Sequence, residues 1–168
     1  MPDWDALLEA HRDTVWRVCA RWLSDRTAIE DAFQETFVSA IRLADRMAGR
    51  GETVTNWEAM LVRLASSRAI DLLRRRSRRP AQPIAQGFDP AGRGDSPIQV
   101  AVAAELSERL ATATANLPER AAEIFAMVAV EGQSHAEVAA HLGMTPSAVA
   151  VALHRARKQL QAALRLDD

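Results

Sequence analysis

The sequence predicts an all-α protein: two small helical domains joined by a flexible linker, the second containing a helix-turn-helix. Apolar residues recur about every 3.6 positions through nearly the whole chain of 168 residues, and no segment alternates apolar and polar residues as a strand does. Residues 80–97 interrupt the period with four prolines and three glycines, a composition typical of a tether. We therefore place the first domain at residues 1–79, the linker at 80–97 and the second domain at 98–168.

Three helices are predicted in the first domain. Thr27 with Glu30, and Thr55 with Glu58, have the spacing of a capping box, so we expect them to start the second and third helices. The three apolar stripes are Trp4, Leu7, Leu8, His11, Val15, Val18, Cys19 and Trp22; Ile29, Phe33, Phe37, Ala40 and Ile41; and Trp57, Met60, Leu61, Leu64 and Leu72. Cys19 falls on such a stripe, and we expect it to be a small buried hydrophobic residue.

The strongest motif of the second domain is a predicted helix-turn-helix. Ser134 and Glu137 form a capping box for its first helix, and Gly143 suits the left-handed conformation that ends it. Thr145 caps the second helix, with Pro146 at the first helical position. In that second helix the inward positions are predicted to be Val149, Leu153, Ala156 and Leu160, and the outward ones to include His154, Arg155, Arg157 and Lys158.

Two short helices around such a turn place the second helix in a DNA major groove. The same spacing also occurs in an ordinary corner between two helices, where late cations stabilise a helix C-terminus. The spacing alone does not distinguish a DNA-binding motif from an ordinary helix corner, so the choice depends on other features of the chain.

The end of the third helix is the most basic stretch, with six arginines and one aspartate between residues 68 and 79. Arginine's planar fork suits phosphate oxygens, although a solvated basic helix end has the same composition. Upstream, Asn56 and Trp57 are candidates to hold unpaired bases, and for Trp57 core packing is the stronger interpretation.

The second helix carries an acidic polar ridge of Asp31, Gln34 and Glu35 on the side away from its phenylalanines. We name these three residues the α2 ridge, where α2 is this predicted second helix, whose apolar stripe runs from Ile29 to Ile41. The ridge is either solvated surface or a docking face for a basic or coiled-coil partner.

Composition excludes several classes of function. Because the formal net charge is −1, any contact with DNA must come from local clusters of cations. The single cysteine excludes an internal disulfide and is consistent with a reducing compartment. No apolar run has the length of a membrane span, and the acidic N-terminus does not start like a signal peptide, so we expect a cytoplasmic protein without membrane insertion. We find no phosphate loop, metal-ligand spacing or nucleophile elbow. We therefore expect no enzyme activity, cofactor or metal.

Three segments, in this order, resemble a bacterial RNA polymerase sigma factor of the sigma-70 family, extracytoplasmic-function (ECF) type. Residues 29–41, IEDAFQETFVSAI, are similar to the family's polymerase-docking helix. Residues 56–80, NWEAMLVRLASSRAIDLLRRRSRRP, are similar to its region that recognises and melts the −10 element. Residues 117–160, from LPERAAEIF to HRARKQL, resemble region 4, which reads the −35 element.

The resemblance implies a role for each matching residue. The polymerase-binding residues would be Asp31, Gln34, Glu35, Phe37 and Ile41. The −10 element would be contacted by Asn56, Trp57, Arg63, Ser67, Arg68, Asp71, Arg74, Arg75 and Arg78, and the −35 element by Thr145, Ser147, Ala148, Val151, His154, Arg155, Arg157 and Lys158.

The chain departs from the family pattern at Met60, where tryptophan is usual, at Ser67, where asparagine is usual, and at Ala150 and Ala152, where basic residues are usual. We therefore expect weak, loose reading of the −35 element. The expected partners are core RNA polymerase, promoter DNA and an anti-sigma factor, and we expect the free protein to be a monomer. Two alternatives stay open: a free-standing helix-turn-helix regulator, and a decoy that binds an anti-sigma factor without initiating transcription.

Overall fold

The computed structural model describes residues 2–78 and 97–165, and within these ranges the backbone is helical without any strand. The α-helices are α1 (Trp4–Trp22), α2 (Arg26–Ala48), α3 (Trp57–Ser77), α4 (Pro97–Ala115), α5 (Glu119–Phe125), α6 (His135–Leu142) and α7 (Pro146–Arg165), and a π-helical segment, Ala126–Val130, follows α5 directly. The predicted all-α class is confirmed for this part of the chain.

The chain divides into two compact units, one built on α1, α2 and α3 as far as Leu72, the other on α4 to α7 together with Leu73–Arg78. The predicted linker, residues 80–97, lies outside the described residues except for Pro97, which is the first residue of α4. The domain boundaries proposed from the sequence stay a prediction.

The core of the first unit combines small and branched residues from all three helices. Val15 and Cys19 from α1, Ala32 from α2 and Ala65 from α3 are fully buried, and Leu61 is 1% exposed. Small side chains let the helix backbones approach closely, and larger apolar side chains such as Trp22 and Ile70 fill the rest of this core. The outer ends of two predicted stripes are less buried than the pattern suggests, since Leu8 and Ile41 are each 39% exposed.

Two predicted helix starts are wrong. The cap of α2 is Asp25, whose carboxylate accepts a hydrogen bond from the Ala28 N–H at 3.3 Å, so Thr27 lies inside the helix. The cap of α3 is Asn56, whose Oδ1 accepts from the Ala59 N–H at 3.0 Å, which leaves Thr55 before the helix. Aspartate and asparagine cap more strongly than threonine, so the neighbouring stronger cap takes the position in both cases.

The second unit packs α4, α5 and α6 against α7, and the π-helical segment contacts α5 and α6. Its core contains Ile124, Met127, Val138, Val149, Leu153, Ala156 and Leu160, all at most 4% exposed. Two arginines tie helix ends together: Arg109 donates to the Leu164 carbonyl at 3.2 Å, and Arg120 to the Leu142 carbonyl at 2.8 Å. Such bonds satisfy carbonyls that a helix end leaves without an intrahelical partner.

Among the described residues, no single helix is long and apolar enough to cross a membrane. The pair α6 and α7 reaches that threshold only when the two helices are taken together, and they are bent by 104° at the turn between them.

Candidate nucleic-acid interface and docking face

The turn between α6 and α7 forms as the sequence predicts. The Ser134 Oγ accepts from the Glu137 N–H at 3.2 Å, and the Glu137 carboxylate accepts from the Ser134 N–H at 2.7 Å. Gly143 ends α6 with φ +63°, and the Thr145 Oγ1 accepts from the Ala148 N–H at 3.2 Å to start α7. The left-handed backbone alone requires glycine at 143, because an added Cβ would meet nothing within 4 Å.

The capping box also changes the electrostatics of its glutamate. Hydrogen bonds from the side chain and then the backbone of Ser134 lower the pKa of Glu137 below its usual value. The charged carboxylate therefore belongs to the intact helix start, where it also complements the positive end of the helix dipole.

The two faces of α7 are sharply different. The four predicted inward residues, Val149, Leu153, Ala156 and Leu160, are all buried. The predicted outward cations and their neighbours toward the helix start are all exposed: Thr145, Ser147, Ala148, Val151, His154, Arg155, Arg157 and Lys158. The structure therefore presents every predicted −35 residue to solvent on α7 and its cap. Ala150 and Ala152 lie at the flanks and are partly buried.

The predicted −10 residues lie along α3 and its cap in two different environments. Arg75 and Arg78 are exposed, while Arg63 and Ser67 are partly buried. Arg63 Nη2 lies 3.5 Å from the Met60 sulfur. The side chains of Arg75 and Arg78 are therefore accessible to a phosphate group.

Two further predicted −10 residues, Arg68 and Asp71, contact each other. The Arg68 Nη1 lies 3.5 Å from the Asp71 Oδ2, and both side chains are about one-third exposed. Because this pair is neutral overall, it adds little net attraction for phosphate.

Arg74 is bound by backbone carbonyls of its own compact unit. Its Nε donates to the Ala115 carbonyl at 2.9 Å and its Nη2 to the Leu117 carbonyl at 3.2 Å. The sequence contains no signal for these long-range bonds, since they join residues more than 40 positions apart. A phosphate contact by Arg74 would have to compete with them.

The start of α3 carries an aromatic pair that the sequence analysis missed. Trp57 meets Trp4 of α1 edge to face, with ring centroids 5.4 Å apart and an interplanar angle of 77°. The sequence favours core packing for Trp57; in the structure the ring packs on Trp4 but is only partly buried. Asn56 uses one lone pair of its side-chain oxygen as the cap of α3, which leaves its amide N–H₂ and the second lone pair of that oxygen for another partner.

The α2 ridge is fully on the surface, with Asp31, Gln34 and Glu35 all exposed. Ile41 is 39% exposed, Phe37 is partly buried, and Val38 adds an apolar side chain that is 38% exposed and was not predicted. The opposite side of α2 is anchored by buried Thr36, whose hydroxyl donates to the Ala32 carbonyl at 2.7 Å. The helix thus offers acidic and apolar groups together, as a docking face for a basic, partly apolar helix would require.

No group of three or more histidine, cysteine or carboxylate side chains within residues 2–78 and 97–165 is arranged to hold a metal ion.

The class of protein follows from these two units and from comparison with known families. Residues 7–79 match the family described as Sigma-70 region 2, and residues 107–160 match the family described as Sigma-70, region 4. The chain belongs to the sigma-70 family, and its relatives place it among the ECF RNA polymerase sigma factors.

Three relatives support the narrower assignment. The chain is 30% identical over 162 residues to ECF RNA polymerase sigma factor SigE of Mycolicibacterium smegmatis, an alignment that covers 96% of this chain but only 61% of that protein. It is 31% identical to ShbA of Streptomyces griseus, covering 82% of this chain and 72% of that protein. It is 34% identical to SigF of Caulobacter vibrioides, covering 83% of this chain and 73% of that protein.

Solved structures that share the fold include two complexes. One is the sigma factor RpoE in complex with the anti-sigma factor NepR from Bartonella quintana, with TM-score 0.56, 19% identity and full coverage of both chains. The other is CnrH in complex with the cytosolic domain of CnrY, with TM-score 0.57, 24% identity, and coverage of 98% of this chain and 89% of that one.

Proposed function

We propose that this chain is a promoter-specificity subunit of bacterial RNA polymerase, which directs transcription initiation and catalyses no reaction by itself. The observation that carries the proposal is the exposed face of α7. This helix is the second helix of a fully formed helix-turn-helix, and its exposed face carries cations. Family membership supports it, because the relatives that the chain matches are named RNA polymerase sigma factors.

DNA recognition is proposed to be divided between α7 and the C-terminal end of α3. The second unit inserts α7 into the major groove of the −35 element, where Ser147 and Arg155 can donate to bases and Arg157 and Lys158 to phosphates. The C-terminal end of α3 uses the exposed Arg75 and Arg78 to hold the backbone near the −10 element. Strand opening is driven by binding energy that offsets a few kcal/mol of base unstacking.

The polymerase partner is proposed to dock on α2. The α2 ridge supplies negative charge, while Phe37, Val38 and Ile41 supply apolar area beside it. Charged ridges set orientation and association rate, and apolar contact adds most of the affinity.

An anti-sigma factor is the second proposed partner. One solved structure that shares the fold is a complex of the sigma factor RpoE with the anti-sigma factor NepR. An inhibitor that covers either the α2 ridge or the outward face of α7 would keep this chain from polymerase or from DNA.

The decisive experiment is run-off transcription with core polymerase and a library of random promoters. We expect the chain to enrich a promoter class that core polymerase alone does not transcribe. Binding of duplex DNA without any effect on transcription would favour a free-standing regulator. Binding of an anti-sigma factor without DNA binding or transcription would favour a decoy.

A variant tests the docking face separately. Replacing Asp31, Gln34 and Glu35 with alanine should weaken binding to core polymerase at least about tenfold, since interfacial charge pairs commonly contribute more than about 1.4 kcal/mol together. Helical content and Tm should stay nearly unchanged, because all three side chains are exposed.

The matched control removes the same kind of charge from another part of the first unit, by Asp45→Ala with Glu52→Ala, both exposed. If the ridge variant binds core polymerase as tightly as this control does, the docking assignment is wrong.

A further inference from the structure

The outermost line of α7 includes an apolar side chain. At about 100° per residue, positions 147, 151, 154 and 158 lie opposite the buried residues Val149, Leu153 and Ala156. Val151 therefore stands at the centre of the face that points away from the second unit, and it is 50% exposed.

A single exposed valine is common on protein surfaces and by itself needs no explanation. Its surroundings on α7 make this one informative. Ser147 lies one turn before it, His154 and Arg155 about one turn after it, and all three are exposed. The apolar side chain of Val151 is thus surrounded by hydrogen-bond donors and cations. This arrangement is complementary to a polyanionic surface that contains one apolar group.

A DNA major groove is such a surface. Among the groups that base edges display there, the C5-methyl of thymine is the one apolar group that projects into the groove, while guanine, adenine and cytosine are read through hydrogen-bonding groups. Valine has no side-chain donor or acceptor, so it cannot read those groups. It can cover a methyl group, and both apolar surfaces are then removed from water.

We propose that Val151 reads the C5-methyl group of thymine in the −35 element and that this contact supplies much of the sequence preference of α7. The inference rests on the proposed function and names the base chemistry that the helix recognises. Ala148, three residues earlier and also exposed, leaves room beside Val151 for the methyl to approach. Ser147 and Arg155 then hold the helix on either side of that contact.

The test uses the holoenzyme on a promoter enriched from the random library. Each thymine of the −35 element is replaced, one at a time, by deoxyuridine, which keeps the base pairing and removes only the methyl group. We expect an affinity loss of about fourfold at one or two positions, the effect of one buried carbon. In Val151→Ala this sensitivity should fall until thymine and deoxyuridine bind nearly equally, and in Val151→Thr, which keeps one methyl, it should fall only in part.

Val102→Ala is the matched control, since it makes the same change at a valine of α4 that is 60% exposed. It should keep the full response to deoxyuridine. Equal affinity of the wild type for thymine and deoxyuridine at every −35 position would overturn the inference, and so would a Val151→Ala variant that keeps the wild-type response. A holoenzyme that selects no promoter at all would instead count against the proposed function, and with it the inference.

Discussion

Cys19 shows how one residue can be decided by its position in the core. It is fully buried, and that burial raises the pKa of its thiol to about 12, although the neighbouring Thr36 side chain acts in the opposite direction. The thiolate is the reactive form, so the folded protein holds this cysteine in its unreactive form at neutral pH. The residue acts as packing, as its place on the apolar stripe of α1 predicts.

We therefore expect Cys19 to resist alkylation by iodoacetamide at mildly alkaline pH while the protein is folded. The rate should be at least about a hundredfold below that of the denatured chain, because both access and thiolate population are low. Mass spectrometry of timed samples measures it. Comparable rates in buffer and in denaturant would show that the first unit opens readily around this residue.

Ser134 is the residue on which the start of α6 depends. Ser134→Ala should cost about 1 kcal/mol of stability, the usual effect of removing a cap hydroxyl. Part of that cost should depend on pH. Since the pKa of Glu137 is lowered in the folded state, its stabilisation is present above the unfolded pKa and is lost as pH falls through the folded value.

Urea unfolding at neutral pH and in acid tests this dependence. The difference between wild type and Ser134→Ala should be larger at neutral than at acidic pH. A matched substitution at an exposed, uncapped site of the same unit, Ser107→Ala, should show neither the cost nor its pH dependence. Equal differences at both pH values would mean that the carboxylate does not contribute.

At the scale of an element, the end of α3 combines arginines in different states. Arg75 and Arg78 are exposed, while Arg74 is held by two carbonyls and Arg68 by Asp71. The sequence shows only a run of like charges. Solvent-exposed cations attract a phosphate backbone at long range, whereas paired cations contribute much less.

Changing Arg75 and Arg78 to alanine should flatten the dependence of log affinity on log salt concentration for duplex DNA. The expected change in slope is about 0.9 for each phosphate that the variant no longer neutralises. Fluorescence anisotropy across a salt series measures it. Arg46→Ala with Arg50→Ala removes the same charge from the exposed end of α2 and should leave the slope nearly unchanged. An unaltered slope in the α3 variant would make its arginines an ordinary solvated helix end.

At the scale of the whole molecule, a net charge of −1 hides two surfaces of opposite sign. The α2 ridge is acidic, and the outward face of α7 is basic toward its C-terminal part. Such separation suits a subunit that binds polymerase through one surface and DNA through the other. With alanines at positions 150 and 152, the −35 side has few donors for base edges, so we expect the −10 side to carry most of the promoter choice.

Hybrid promoters test that balance. Exchanging the −10 element for an unrelated sequence should reduce run-off transcription more than exchanging the −35 element does. A stronger effect of the −35 exchange would contradict the prediction.

Ala150→Lys with Ala152→Arg should raise the affinity for promoter DNA and its salt dependence, because two new cations reach the backbone. Ala103→Lys with Ala104→Arg adds the same charge on exposed positions of α4 as a control.

The helical class, the turn before α7 and the inward face of that helix could all be predicted from the sequence alone. These features depend on contacts between residues at most a few positions apart: Ser134 with Glu137, Gly143 with its own backbone, and the repeat of Val149, Leu153 and Ala156. Local hydrogen bonds and a 3.6-residue period are written directly in the chain, so pattern reasoning finds them.

Which polar and apolar groups remain available to a partner was settled by tertiary packing. The Trp4–Trp57 pair and the bonds of Arg74 to Ala115 and Leu117 join residues more than 40 positions apart, and no local pattern specifies them. Burial likewise separates exposed Val151 from partly buried Ala150 and Ala152. Exposure to solvent depends on how the whole unit packs, and availability to a partner follows from that packing.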